Sequence, residues 1–351
     1  MTEIWEEPVR GAPADPAILA LPGLEQLRSF LDGRAPAPPV ARLTGRALAE
    51  AEDGRVVYTM PVTGWMVGPK GTLHPGVLAF LADAPLLAAV VSTLPPATPT
   101  TTAEVSITFL GTAPLGDELR AEGRVIHVDS TTGLAEVFVR ARDGRLLAHG
   151  TTRGFILPPL DLAGVNPPTK PALVPPDETP DPYLRPVDGG TLSGDAIAAT
   201  SGIDLLRLQL AGDLPRPPID HLTGMRLTSA DEGRVTFGLP AGPWATNEFG
   251  TVFGGMLALL AASAGSAAVQ SVAEVGTPFA ALDMKLNVIR PAYPDGTDLT
   301  ATAAVVHAGR NLAIANTEIV AANGKTIALA TGTTALGDAA AARAAAALTY
   351  D

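Results

Sequence analysis

In the run Leu73–Leu94 nearly every side chain is apolar, and Asp83 is its only carboxylate. Removing an ionised carboxylate from water is costly unless a partner or a reaction compensates it. In a dry pocket such a group can serve as a base or a nucleophile. A second run, Thr251–Ser263, has the same apolar character without the acid, and it carries Gly254-Gly255 where the first carries Pro75-Gly76. Free amides at a helix N-terminus, backed by the helix dipole, suit a carbonyl oxygen that gains negative charge. Pro75 and Asp83 lie about 12 Å apart along one helix at ~1.5 Å per residue. One reacting carbon can touch both kinds of group only if the N-terminus belongs to a different helix.

A tandem repeat supplies that second helix. Pro38-Pro39-Val40-Ala41-Arg42-Leu43-Thr44-Gly45 matches Pro217-Pro218-Ile219-Asp220-His221-Leu222-Thr223-Gly224 at an offset of 217 − 38 = 179. The same offset relates Gly54-Arg55-Val56 to Gly233-Arg234-Val235, Trp65 to Trp244, and Gly76-Val77-Leu78 to Gly255-Met256-Leu257. It holds upstream at Gly23-Leu24 and Gly202-Ile203, and becomes 180 for His127 with His307 and Asp143-Gly144 with Asn323-Gly324. A duplicated unit of this kind places one apolar helix in each half.

Each unit reads as a short amphipathic helix, a strand (from Arg55 or Arg234), a loop with a Trp, the long apolar helix, and four more strands. The last two strands join through Asp143-Gly144 or Asn323-Gly324, both strong hairpin turns. An all-round apolar helix among five antiparallel strands is expected to be wrapped by a curved sheet, giving an α+β fold. The expected organisation is an N-terminal extension (1–22), a first domain (23–157), a Pro-rich linker (158–200), a second domain (201–337) and an Ala-rich tail (338–351) read as a terminal helix.

The net charge of −12 argues against sequence-independent binding to nucleic acid or to an anionic membrane. Pro75, Asp83 and Pro85 count against a membrane span in Leu73–Leu94, and the acidic start Met1–Pro8 is no signal peptide, so the expected location is cytoplasmic. With no cysteine, thiolate metal sites are excluded. No pair of His or acids has metal-ligand spacing, so no metal and no cofactor is expected.

The order of elements, twice over, resembles a double hotdog protein, two curved sheets around two central helices packed as an intramolecular pseudo-dimer. Asn247 followed by Gly250-Thr251-Val252-Phe253-Gly254-Gly255 resembles the N-x-x-G-T-x-H-G-G signature of the PaaI-like acyl-CoA thioesterases, and Gly71-Thr72-Leu73-His74-Pro75-Gly76 with Leu81-Ala82-Asp83 resembles the same signature with its downstream acid. The resemblance implies an acyl-CoA substrate, with CoA as part of it, and a site between units. One unit gives a loop Asn and a helix-end amide. The other gives the helix acid and a Ser or Thr on the next strand. The expected catalytic residues are therefore Asp83 and Thr102 against Asn247 and Gly254. Gly255, Arg310, Lys285 and Arg290 are the expected substrate contacts, Arg310 through a Gly-Arg segment like the one the family places near the CoA phosphates. The other pairing sets Pro75 and Gly68 against Ala262 and Ala281, and has lost every part. Fused pseudo-dimers of this kind are expected to associate further into homo-oligomers.

Plainer roles stand beside these. Asp83 could be a structural acid, Asn247 a turn residue, and the two glycines a device for close helix packing. His74 reads as a packed first-turn residue, because its counterpart is Phe253. Pro75-Gly76-Val77-Leu78 also resembles the P-G-V-L of hotdog hydratases and dehydratases, but the His those enzymes use is missing near Val67. A non-catalytic acyl-binding protein is the remaining alternative.

Overall fold

The computed structural model describes residues 3–170, 179–338 and 340. Part of the linker and nearly all of the Ala-rich tail lie outside the described residues. The first repeat runs α1 (Gly23–Leu31), α2 (Pro39–Thr44), β1 (Ala47–Glu52), β2 (Arg55–Pro61), α3 (Pro75–Ser92), β3 (Thr100–Phe109), β4 (Glu118–Val128), β5 (Thr132–Arg140) and β6 (Leu146–Ile156). After a short α4 (Gly194–Ala199), the second runs α5 (Gly202–Ala211), α6 (Pro218–Thr223), β7 (Arg226–Asp231), β8 (Arg234–Pro240), α7 (Gly254–Val272), β9 (Phe279–Val288), β10 (Asp298–Ala308), β11 (Leu312–Val320) and β12 (Thr326–Leu336).

Each repeat has six strands, one more than the sequence pattern reveals. The additions, β1 and β7, are the two outermost strands of the sheet. Ala-Leu-Ala-Glu-Ala-Glu is built from poor strand formers, so pairing with β2 rather than local propensity makes it a strand. Its acids also keep that edge from pairing with another chain.

All pairings are antiparallel, and the order β1-β2-β4-β5-β6-β3-β9-β12-β11-β10-β8-β7 makes one twelve-stranded sheet. The halves join where β3 meets β9, with Ser106 opposite Lys285. These two residues are repeat counterparts, so they mark the pseudo-two-fold axis. Val105 and Ile107 of β3 and Met284 and Leu286 of β9 face the core. α3 and α7 pack on each other inside the sheet. Both are long and apolar enough to cross a membrane, but 83% and 78% of their lengths are buried within the fold, so their apolar surface is consumed by the sheet and by each other.

The duplication extends upstream of Gly23. Pro8-Val9 and Pro186-Val187 match at an offset of 178, and each segment packs on the opposite repeat. Trp5 lies against Gly224 of the second repeat, and Tyr183 against Gly45 of the first. The loop tryptophans follow suit: Trp244 Nε1 donates to the Glu7 carbonyl and Trp65 Nε1 to the Arg185 carbonyl. The counterparts Glu7 and Arg185 then form a two-pronged ion pair at 2.7 and 2.8 Å. The N-terminal segment and the linker are thus crossed straps, not spacers.

Gly23 and Gly202 let α1 and α5 lie on the central helices. A Cβ at either would stand 1.7 or 1.8 Å from the carbonyl oxygen of Val91 or Gln270. Gly23→Ala and Gly202→Ala are each expected to destabilise by about 2 kcal/mol. Urea unfolding of the two variants tests this, and an unchanged midpoint in both would refute the close-approach role.

Candidate active site

The pseudo-two-fold sets the N-terminus of each central helix against the middle of the other. At one crossing the Asp83 carboxylate rests on Gly254, where a Cβ would lie 2.7 Å from Oδ2. At the other, Gly76 faces the Ala262 methyl. Gly255 allows the approach, because a Cβ there would lie 2.4 Å from the Phe80 carbonyl oxygen. Phe80 and Phe253 close one side, edge to face with centroids 5.1 Å apart.

The two helix ends differ in their free donors. On α3, Pro75 has no N–H, and the His74 Nδ1 accepts the Gly76 N–H at 3.1 Å. Burial lowers the His74 pKa to about 4, so the imidazole is a neutral cap; its Nε2 is 3.5 Å from Ser263 Oγ. On α7, Phe253 offers no cap. The Gly255 N–H faces Asp83, and the Gly254 N–H has no partner among the described residues. Burial pushes the Asp83 pKa up to about 6, against the opposing pull of the Arg46 guanidinium and the Gly255 amide.

The sequence-assigned residues are brought together unevenly. Asp83, Gly254 and Gly255 meet. Asn247 sits in the adjoining loop and serves its own turn: Oδ1 accepts from the Phe249 and Thr251 amides at 2.9 and 3.1 Å, and Nδ2 donates to Thr251 Oγ1 at 2.9 Å. One Nδ2 hydrogen remains free of these bonds. Thr102, half-buried beside a bulge in β3, pairs with Gly154 of β6. Gly154 is in contact with Leu87, one turn along α3 from Asp83. Lys285 lies on the outward face of β9, with Nζ 4.0 Å from Glu104, and Arg290 and Arg310 are exposed beyond β9 and between β10 and β11. These three cations do not converge on Asp83.

Two site residues escape a motif reading. The Arg46 side chain, 1% exposed, bonds Glu248 Oε1 at 2.7 Å and stacks on Phe253 and Tyr58 at 4.5 and 5.0 Å. Their counterparts are Met225 and Pro69, so this ion pair also exists on one side only. The repeat offset is the signal that could have found them.

At the crossing without the acid, Gly265 and Ser266 stand where the first repeat has Leu86 and Leu87. They leave a cavity of about 30 Å³ near Ala262, Ala281, Thr317 and Thr334. That is room for a water or two.

One continuous antiparallel sheet around two facing helices defines a double hotdog protein. Residues 70–148 and 249–328 each match the thioesterase superfamily model, so the chain carries two thioesterase-superfamily domains in tandem. Solved structures share the architecture. A conserved hot dog-fold protein of unknown function from Alicyclobacillus acidocaldarius is 13% identical with a TM-score of 0.53, covering 85% of this chain and 97% of its own. A candidate thioesterase from Novosphingobium aromaticivorans is 19% identical with a TM-score of 0.52, covering 82% and 97%. The tesB protein of Mycobacterium avium subsp. paratuberculosis is 14% identical with a TM-score of 0.51, covering 88% and 99%. No curated protein sequence matches the chain.

The raised pKa has a stability consequence. Folded Asp83 titrates near 6 and an unfolded Asp near ~3.9, so the native state binds the proton more tightly. Stability contributed by this group is present below about pH 4 and is lost as pH rises through 6, by roughly 3 kcal/mol. Asp83→Asn is therefore expected to be more stable than the parent at pH 7 and equal to it at pH 4. Denaturant melts at the two pH values check this; no gain at pH 7 would mean that the buried charge is fully compensated.

Proposed function

We propose that the protein is an acyl-CoA thioesterase that hydrolyses the thioester of a small or medium acyl or aryl group at one composite site per chain. The observation that carries this is the one-sided meeting of an acid with an open helix end: Asp83 stands against Gly254 and Gly255, whereas Ala262 stands against a capped one. The two thioesterase-superfamily domains support the reaction class. The resemblance of the Asn247–Gly255 segment to acyl-CoA thioesterases supports the CoA ester.

In this reading the Gly254 N–H and the remaining Nδ2 hydrogen of Asn247 polarise the thioester carbonyl. Asp83, ionised above its pKa of about 6, takes a proton from water as that water attacks, or attacks the carbon itself to form an anhydride that water then opens. Thr102 orients the water. The CoA sulfur leaves as thiolate and takes up the proton. A hydratase reading lacks its His and acid pair, because His74 lies at the opposite crossing, against Ser263 and Gly76.

Thiol release over a panel of acyl-CoAs tests the proposal. Asp83→Asn is expected to abolish turnover, and Gly254→Pro, which removes the N–H and sets a Cβ against the carboxylate, to lower it by at least the ~10²–10³ typical of one lost oxyanion donor. Full activity in Asp83→Asn, or no release from any acyl-CoA by the parent, overturns it. Single turnover in ¹⁸O-water separates the two routes, since only the anhydride route labels Asp83. Leu87 lines the same helix face as Asp83, so Leu87→Ala is expected to move the preferred acyl group to a longer chain. An unchanged chain-length profile would remove Leu87 from the pocket wall.

A further inference from the structure

Arg46 is a buried cation that the thioesterase reading leaves unused. Its side chain is 1% exposed, and among the described residues its Nε is buried without a partner and its one ionic partner is Glu248. Burying a guanidinium is expensive unless its partners compensate it. Its surroundings point to its role. Glu248 is the residue after Asn247. The guanidinium lies on the ring of Phe253, the residue before Gly254. The Glu248 carbonyl also receives the Ala14 N–H at 2.9 Å from the N-terminal strap. The first repeat therefore reaches across the interface and holds both ends of the segment that supplies the site's donors.

The other crossing shows what happens without this arrangement. Met225 replaces Arg46, Pro69 replaces Glu248, and the strap bond persists from the Leu192 N–H to the Pro69 carbonyl at 2.8 Å. The loop is thus held by its strap on both sides, and the ion pair is not needed to fold it. It occurs only where the acid does.

We propose that Arg46 is a positioning residue of the composite site: it clamps the Asn247–Phe253 segment of the second repeat and brings a positive charge to the crossing that holds Asp83. This rests on the thioesterase reading only for its kinetic readout. The groups that bear on the Asp83 carboxyl are few. From the loop before β1 comes Arg46, and from the opposing loop Glu248, which disfavours the anion. From β2 comes Tyr58, whose pKa burial raises, so it stays protonated. The α7 end gives only amides and Phe253. On β4, β5 and β6 the core-facing residues are Leu119, Ala121, Val137 and Ala148, whereas Glu122, Glu136 and His149 alternate to the outward face. His74 is neutral and belongs to the other crossing.

The test compares the parent with Arg46→Met, which copies the second repeat, Arg46→Lys and Glu248→Gln. In the pH profile of kcat for acyl-CoA hydrolysis, Arg46→Met is expected to move the acid-limb inflection up by about one unit. That shift lowers the rate about tenfold on the acid side of the inflection and less at high pH. Arg46→Lys restores most of the shift, and Glu248→Gln moves the inflection down. A rate lost equally at every pH, with the inflection fixed in all three variants, overturns the proposal.

A second measurement needs no activity. The stability gain of Asp83→Asn is followed against pH in the parent and in the Arg46→Met background. The gain is expected to be larger at pH 7, and to set in across a wider pH range, when Arg46 is absent; identical curves overturn the proposal. If Arg46→Met does not fold, the Glu248→Gln background is used, where the gain is expected to shrink. Absence of hydrolysis in the parent would sink the thioesterase reading while this stability coupling still decides the role of Arg46.

Discussion

The structure depends on one contact, a carboxylate held in apolar surroundings against an open helix N-terminus. Three requirements follow from it. The helices must approach within backbone distance, which is why Gly254 and Gly255 carry no side chain at the crossing. The end of α7 must stay uncapped, because a capping side chain would occupy the amides that face Asp83. And some positive potential must offset the desolvation of the acid, for which a helix end alone, at roughly half a charge, is weak compensation. Arg46 offsets part of that desolvation from the first repeat, and burial still holds the Asp83 pKa above its ordinary value.

The straps determine how the two repeats can carry such a contact at all. A loop that bears donors must be held relative to an acid on another domain. Here each loop is tied to a segment that lies outside the sheet. Glu248 takes the Ala14 amide and Pro69 the Leu192 amide, while Trp244 and Trp65 bond the carbonyls of Glu7 and Arg185. Glu7 and Arg185 join the two straps to each other. The chain crosses between repeats in both directions, so their relative placement is fixed by backbone hydrogen bonds as well as by the β3–β9 pairing.

Much of this was legible in the sequence because the duplication doubles every signal. The offset of 179 located the central helices, and the length of one helical run showed that the acid at Asp83 and a helix end had to come from different repeats. What stayed hidden shares one property: it depends on partners distant in sequence. β1 is a strand because β2 pairs with it. Arg46 looks like any polar residue before an edge strand, and its partner lies 202 residues away. Asn247 was assigned a donor role, and the fold shows most of its hydrogen-bonding capacity spent on its own turn. Trp5 and Tyr183, in segments read as extension and linker, pack against glycines of the opposite repeat.

Fusion explains why the asymmetry could arise. In a symmetric dimer of one unit, every substitution enters both crossings at once. Pro75 at the donor position would then remove the amide facing Asp83 at each of the two sites, and Ala at the acid position would remove both acids. In a tandem chain the two copies vary independently, so one copy can keep the acid and the other the donors that meet it at a single crossing. The crossing without the acid is also the easier one to stabilise. Ala262 stands where the other crossing has a carboxylate whose burial disfavours its ionised form, and His74 accepts the Gly76 N–H, whose counterpart at Gly255 faces Asp83. At the α3 end Pro75 brings no N–H and the His74 ring caps the next one, so that end of the crossing holds fewer open donors than the α7 end.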